Sequence, residues 1–447
     1  MGTSCRSAMG DKMKKTIRVR LACVSAAALL SGLGAADQAN AGGFAVREQS
    51  TYFQGSGFAG TAAGGDISSM YWNSAAITTV PGFNAEASGT IIFPSSDVTA
   101  RGVVLFNPLA DTANIAVDTF VPAMYGTYQV SDRLYAGIAV NSPFGFSTKP
   151  DTVWTGSPIA VTSQIRTLDF NPTLAYKITP DLSIGIGAQV EYIRTRLHND
   201  GLNLVPTRSI DADSWAAGAT AGILWQPSPS TSVGLGYRSA VTQDLTGTWA
   251  VRGVGGVEGK ASVTLPDEVT LSARQAVTDR LTLLGTVEWQ NQSSVGNVPI
   301  TSAPSLLCPN GVCETLDFNY RDQWYFALGA EYAWSPSLTV RTGVNYEISP
   351  IDNSIRNILL PDSNRIGVSV GGSYRYSDRV TFDLAYTHLF FDNAPFCIAP
   401  NGPNGTHCVT GVTPLLQGSA DTSVDMVSFA AKYSTGAPVA ALETYKK

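Results

Sequence analysis

A chain of 447 residues could build two or three soluble domains, but only 14% of its residues are charged while 43 are glycine, a poor match to a solvated globular surface. Its net charge of −6 argues against nucleic acid as a partner. Beyond the N-terminal leader no apolar run approaches the ~18–20 residues of a spanning helix, which excludes a helical membrane protein and points to alternating strands.

The leader comes first. Lys12, Lys14, Lys15, Arg18 and Arg20 form a basic region, Leu21 to Leu33 is apolar, and Ala39-Asn40-Ala41 fits a small-x-small cleavage site. Residues 1–41 therefore read as a secretory signal, with Met13 as an alternative start. Cys23 does not make it a lipoprotein signal, because Arg20 stands where an apolar residue is needed and most of the apolar region follows it.

Residues 42–80 are too rich in Gly, Ala and Ser to build a core, and carry no helical period beyond a turn or two. Such a segment needs a container, and the rest of the chain supplies one. The expected organisation is a plug over 42–80, a transmembrane antiparallel β-barrel over 81–434 and a C-terminal extension over 435–447.

From Phe83 onward, apolar/polar alternation recurs in segments of roughly 10–15 residues, as in Arg365 to Val370 and Val380 to Thr387. Tight turns are expected at 131–133, 179–181, 227–229, 278–280, 334–336 and 377–379. Long excursions are expected near 94–118, 145–162, 198–209, 243–259, 291–319, 350–363 and 392–419. Six short turns alternating with seven long loops give about fourteen strands, the asymmetry of an outer-membrane barrel with short periplasmic turns and long extracellular loops. A soluble sandwich or propeller lacks that alternation.

On the strands, Asp169, Asn171 and Thr173 share one face, and Gln189, Glu191, Arg238, Arg274, Glu288, Glu331, Arg341, Glu347, Arg365 and Asp383 fall on the same polar side. Opposite charges can pair there and hold the plug, or one or two basic groups can bind a ligand carboxylate. Arg194 and Arg196, which follow Tyr192 on the fifth strand, are the candidates for that second role. Phe106 and Leu109 in the first long loop are candidates for an apolar extracellular groove, or they pack that loop against its neighbours.

Cys308, Cys313, Cys397 and Cys408 remain after the leader; in an exported chain an even number favours disulfides, paired locally within two loops. Their spacing does not suit a zinc site of paired CxxC knuckles. No GxSxG elbow accompanies the three histidines, so an enzyme is not expected, and neither metal nor cofactor is called for.

Several short motifs, in order, carry a family resemblance: Gly42-Gly43-Phe44, Gly57-Phe58-Ala59-Gly60, Asn73-Ser74-Ala75, Val121-Pro122-Ala123-Met124, Ser142-Pro143-Phe144-Gly145, Gly236-Tyr237-Arg238-Ser239 and Leu360 to Arg365. Over nearly the whole mature chain it resembles the long-chain fatty acid transporter (FadL-type) family of Gram-negative outer membranes, which includes toluene and other aromatic-hydrocarbon channels. Ser74 stands where the family usually carries Pro, a departure that concerns the local turn.

The resemblance implies a fourteen-stranded barrel closed by an N-terminal hatch, with Gly42, Gly43 and Phe44 reaching into a ligand pocket. It also implies a kink in the third strand at Asn141, Pro143, Phe144 and Gly145 that opens sideways to the bilayer. Pro lacks a ladder N–H and Gly weakens a strand, so pairing should fail there, although Pro143 could equally end the strand. The implied partners are a long-chain fatty acid or an aromatic hydrocarbon, together with outer-membrane lipid and lipopolysaccharide, for a monomer in the outer membrane.

Overall fold

Residues 44–102, 111–159, 161–199, 207–398, 414 and 416–436 are described by the computed structural model. Gly42, Gly43, Phe106, Leu109, Cys408, the signal segment and residues 437–447 lie outside them.

Fourteen antiparallel strands form a closed barrel. They are β1 (Phe83–Gly102), β2 (Thr119–Gln129), β3 (Leu134–Asn141 and Gly145–Thr148), β4 (Thr162–Lys177), β5 (Leu182–His198), β6 (Arg208–Ser228) and β7 (Thr231–Arg238 and Val241–Val251). There follow β8 (Gly255–Leu265 and Glu268–Ala276), β9 (Leu281–Gln290), β10 (Gln323–Ser335), β11 (Leu338–Ile348), β12 (Arg365–Arg375), β13 (Val380–Phe391) and β14 (Leu416–Ser434). Each strand pairs with the next, and β14 pairs with β1 from Asn84↔Ser434 to Gly102↔Leu416, which closes the barrel. Closure is what allows strands to cross lipid with every backbone group paired.

All six expected tight turns join consecutive strands at one end of the barrel. At the other end, two of the expected excursions are largely ladder. β1 runs on to Gly102, and Val241–Val251 pairs with Gly255–Leu265 as an extended hairpin turning near Gly253, whose φ is positive. Polar Thr, Gly and Ser read there as loop, but both strands keep pairing partners beyond the apolar belt. Further strand pieces, Asn297–Thr301 against Val312–Asp317, make a hairpin above β9, and Cys308 and Cys313 are joined by a disulfide at its tip.

The exterior carries an apolar belt, including Leu174, Ile186, Ile223, Leu328, Val344 and Leu384. Among the described residues no helix is long and apolar enough to cross a membrane. The interior is filled by residues 44–80, folded as helix α1 (Thr51–Gln54) and the 3-10 turns Thr61–Ala63, Ile67–Tyr71 and Ser74–Thr79. Ser50 caps α1 by accepting from Phe53 N at 3.1 Å. This segment has too little apolar surface to fold alone, and instead spends its polar groups on the wall.

Asn73 is the clearest case. Its Oδ1 accepts from Ala75 N at 2.9 Å to start the last 3-10 turn, while Nδ2 donates to Ala62 O at 2.7 Å and to Ile223 O of β6 at 2.9 Å. Ser74 places its Oγ 2.8 Å from Thr220 Oγ1, a further tie to the barrel. Tyr125 and Tyr325 donate from the wall to Gln49 O at 2.6 Å and Gly57 O at 2.8 Å.

Candidate functional site

Two layers meet inside the barrel. The lower layer is the ion-paired seat of the hatch, built from the inward face identified by alternation. Arg47 pairs with Glu288 and stacks on Tyr325 at 3.7 Å. Arg238 reaches Asp169 at 2.8 Å and covers the Tyr71 ring at 4.3 Å. Arg341 bonds Glu331 at 2.7 Å and lies 3.6 Å over Tyr52, whose hydroxyl donates to the same carboxylate at 2.6 Å. Lys432 joins Asp66 of the hatch to Asp383 of β13. Buried charges are tolerated when each has a partner of opposite sign; here the partners come from hatch and wall together, so the wall charges hold the plug.

Above this seat lies a cavity of about 610 Å³, within the ~300–1,000 Å³ common for small-molecule sites. Phe44 forms its floor, stacked on Phe146 (centroids 6.3 Å) and edge-on to Phe318 (5.9 Å), with Tyr320 at 5.7 Å. Ile165, Ile193, Leu245 and Leu265 line the walls from β4, β5, β7 and β8. Burial, with the charge of Asp362 nearby, pushes the Tyr320 hydroxyl well above the ordinary phenol range, so it remains a neutral donor.

The polar end is the rim. Arg208, at the start of β6, bonds Glu314 of the outer hairpin at 2.9 Å, and Trp249 Nε1 donates to the same carboxylate at 3.2 Å. Arg208 was not singled out from the sequence; the signal was its parity with Ile210 and Ala212, which also line the cavity.

Arg194 and Arg196 are a correction. Ile193, Thr195 and Leu197 line the cavity, and the period-2 pleat turns the two arginines to the barrel exterior, where both bond Asp211 at 3.0 and 3.1 Å. Gln189 and Glu191 already set that parity from the inward side.

β3 is interrupted between Asn141 and Gly145. β2 pairs with β3 only over Met124–Gln129, and the outer piece Gly145–Thr148 pairs with β4 alone. The hatch start fills the interruption: Val46 N donates to Pro143 O at 2.8 Å, Gly145 N to Phe44 O at 2.7 Å, and Gln49 Nε2 to Ser142 O at 2.8 Å. Asn141 donates through Nδ2 to Gln49 Oε1 at 3.1 Å. β3 resumes at Gly145 after the interruption, and the hatch start supplies backbone partners to Pro143 and Gly145 there. Cavity floor and wall interruption therefore share Phe44 and its neighbours.

Comparison with known proteins agrees with this architecture. The family model described as "Outer membrane protein transport protein (OMPP1/FadL/TodX)" matches residues 32–434. The chain is 24% identical over 406 residues to outer membrane protein P1 of Haemophilus influenzae, covering 79% of this chain and 87% of that one. It is 23% identical over 430 residues to the long-chain fatty acid transport protein of Escherichia coli K12, covering 84% and 93%. Among solved structures it is similar to a Pseudomonas aeruginosa FadL homologue, with a TM-score of 0.79 at 20% identity over 89% of this chain and 100% of that one. The Ralstonia pickettii toluene transporter TbuX gives a TM-score of 0.59 at 17% identity, over 85% and 97%.

Proposed function

The chain belongs to the OMPP1/FadL/TodX family of outer membrane transport proteins, and on that premise we propose that the hydrophobic substrate of this outer-membrane channel is a long-chain fatty acid, taken up passively. The observation that carries this reading is the polarity of the cavity: apolar from Phe44 through Ile193 and Leu245, with a guanidinium, Arg208, at the rim. Burial of an alkyl chain contributes about 0.8 kcal/mol per CH₂, and a carboxylate at the rim competes with Glu314 for Arg208. That competition keeps the head-group interaction weak, as a channel that must also release its substrate requires.

Release follows from the shared residues. Withdrawal of Phe44 and Val46 opens the cavity floor and frees the backbone groups of Pro143 and Gly145 in one movement. The substrate then leaves sideways between β2 and β3, where the ladder is already absent.

An aromatic hydrocarbon is the second reading, favoured by the Phe44, Phe146, Phe318 and Tyr320 rings at the deep end. Uptake of radiolabelled oleate and of toluene by transporter-deficient cells separates the two. Oleate uptake that weakens in Arg208→Ala supports the fatty-acid reading. Toluene uptake alone, indifferent to Arg208, moves the assignment to a hydrocarbon channel. Pro143→Val, which restores a ladder donor, should reduce uptake while leaving ligand binding to the purified protein intact; unchanged uptake would remove the lateral route.

A further inference from the structure

The inner end of the interruption in β3 is closed by a side chain. Pro143 and Gly145 bond to main-chain groups of the hatch start, whereas both main-chain groups of Ser142 bond to the side chain of Gln49. Ser142 N donates to Gln49 Oε1 at 3.2 Å, and Gln49 Nε2 donates to Ser142 O at 2.8 Å. A glutamine amide offers a carbonyl acceptor and an N–H donor on one planar frame, the same pairing groups as a peptide unit. It stands in for the neighbouring strand that Ser142 lacks, since β2 pairs with β3 no further out than Met124↔Val140. Buried main-chain groups need such partners, and Ser142 is buried. With Val46 N on Pro143 O, Phe44 O on Gly145 N and the antiparallel bridge Ala45↔Phe144, hatch start and amide make a short substitute ladder.

Gln49 is held from both sides of the interruption. Tyr125 of β2 donates its hydroxyl to Gln49 O at 2.6 Å, and Asn141 of β3 donates Nδ2 to Gln49 Oε1 at 3.1 Å and to Tyr125 Oη at 2.8 Å. Gln49 and Asn141 are both fully buried. Gln49 Nε2 also donates to Val46 O at 3.0 Å, so the amide that fastens Ser142 fixes the end of the hatch start as well. Just beyond it Ser50 caps α1, where the seated plug begins. Phe44 and Val46 meet the interruption through one main-chain bond each, to Gly145 and Pro143. Gln49 is tied to both flanking strands and to both main-chain groups of Ser142. That difference makes Gln49 the fixed end of the segment and Phe44 the moving end.

We propose that Gln49 is the positioning residue of the lateral opening. Its side-chain amide pins the hatch start against Ser142 and is the pivot about which Phe44 to Val46 swing, so the opening spans Pro143 to Gly145 and stops at Ser142. This rests on the lateral release argued above, and adds the residue that sets where the opening ends. Gln49 is not among the residues lining the cavity and acts on it through Val46 and Phe44.

The test follows main-chain hydrogen exchange in the full-length protein, purified in detergent without substrate. Gln49→Leu keeps most of the side-chain bulk and removes every bond of the amide. The amides of Ser142, Val46 and Gly145 should then exchange at least tenfold faster, while the ladder from Met124 to Gln129 keeps its protection. Gln49→Glu retains an acceptor for Ser142 N and Asn141 but loses the donor, so Ser142 should stay slow while Val46 and Gly145 speed up. It is the milder variant and tests the pivot if Gln49→Leu fails to fold, which heat-modifiable gel mobility reports. In transporter-deficient cells, Gln49→Leu should raise the half-saturating oleate concentration at least threefold while the maximal rate holds, a split that loss of folded protein does not produce. Unchanged exchange at all three amides in both variants overturns the proposal. So does faster exchange at Ser142 alone in Gln49→Leu, because the amide would then seal the wall without positioning the hatch start. A fall in maximal rate with the half-saturating concentration unchanged also overturns it. Exchange is read without substrate and concerns Gln49 alone, whereas failure of the lateral route itself appears separately, as unchanged uptake in Pro143→Val.

Discussion

The carbonyl oxygen of Trp72 occupies the space that a side chain on Gly236 would need: a Cβ at that position would overlap it. Gly222 meets Asn73 and Gly343 meets Ser56 in the same way. The barrel is therefore Gly-rich where the backbone of the hatch presses on the wall. These residues weaken the strands as isolated ladders and strengthen them as a socket.

Gly236→Val should accordingly displace the hatch without opening the barrel. Overpacking of this kind costs about 1–3 kcal/mol. The thermal midpoint of the purified protein should fall, and the amides of Asn73 and Ala75 should exchange faster, while far-ultraviolet circular dichroism remains that of a barrel. An unchanged midpoint would show that the contact between Trp72 and β7 is loose.

Arg47→Ala should loosen the floor of the cavity. Removing one partner from a buried pair strands the other, at a cost of about 3–5 kcal/mol, and Glu288 would be left against Thr270 and Gln290. Faster hydrogen exchange at Val46 and Gly145, whose amides join hatch start and strand break, is the expected signature. Arg47→Ala with protection intact at both amides would mean that hydrogen bonding alone holds the segment.

Filling the cavity should block transport without unfolding the protein. Ala212 lies on its wall, and Ala212→Trp should reduce uptake of oleate and toluene severalfold while leaving the thermal midpoint near that of the parent. Normal uptake would move the substrate path elsewhere.

Arg208→Ala should raise the half-saturating oleate concentration up to roughly fivefold, since a rim cation that is half exposed contributes about 1 kcal/mol or less. Arg194→Ala and Arg196→Ala should leave uptake unchanged, because both side chains point away from the cavity. A loss of uptake in either would place the carboxylate-reading group outside the barrel.

Alternation, turn chemistry and the absence of long apolar runs were sufficient for the closed barrel, for its strand number and for all six short turns, because a pleated strand between lipid and a polar lumen imposes a period of two on its own residues. The inward charges from Asp169 to Asp383 were legible for the same reason. Pro143 and Gly145 left two readings open, a kink or a strand end, and the pairing of Phe44 and Val46 with this stretch could not be read at all, since that contact joins residues about a hundred positions apart.

The pocket was the least legible part. Its walls come from many strands, and single residues such as Ile193, Leu245 and Phe318 carry no local mark of a shared cavity. For Arg194 and Arg196 the sequence held the answer in the parity of Gln189 and Glu191, while an appeal to position after Tyr192 pointed inward. Local periodicity determined which face each strand residue takes; only closure of the barrel around the hatch decided which of those faces meet, because a cavity is a property of distant strands brought together.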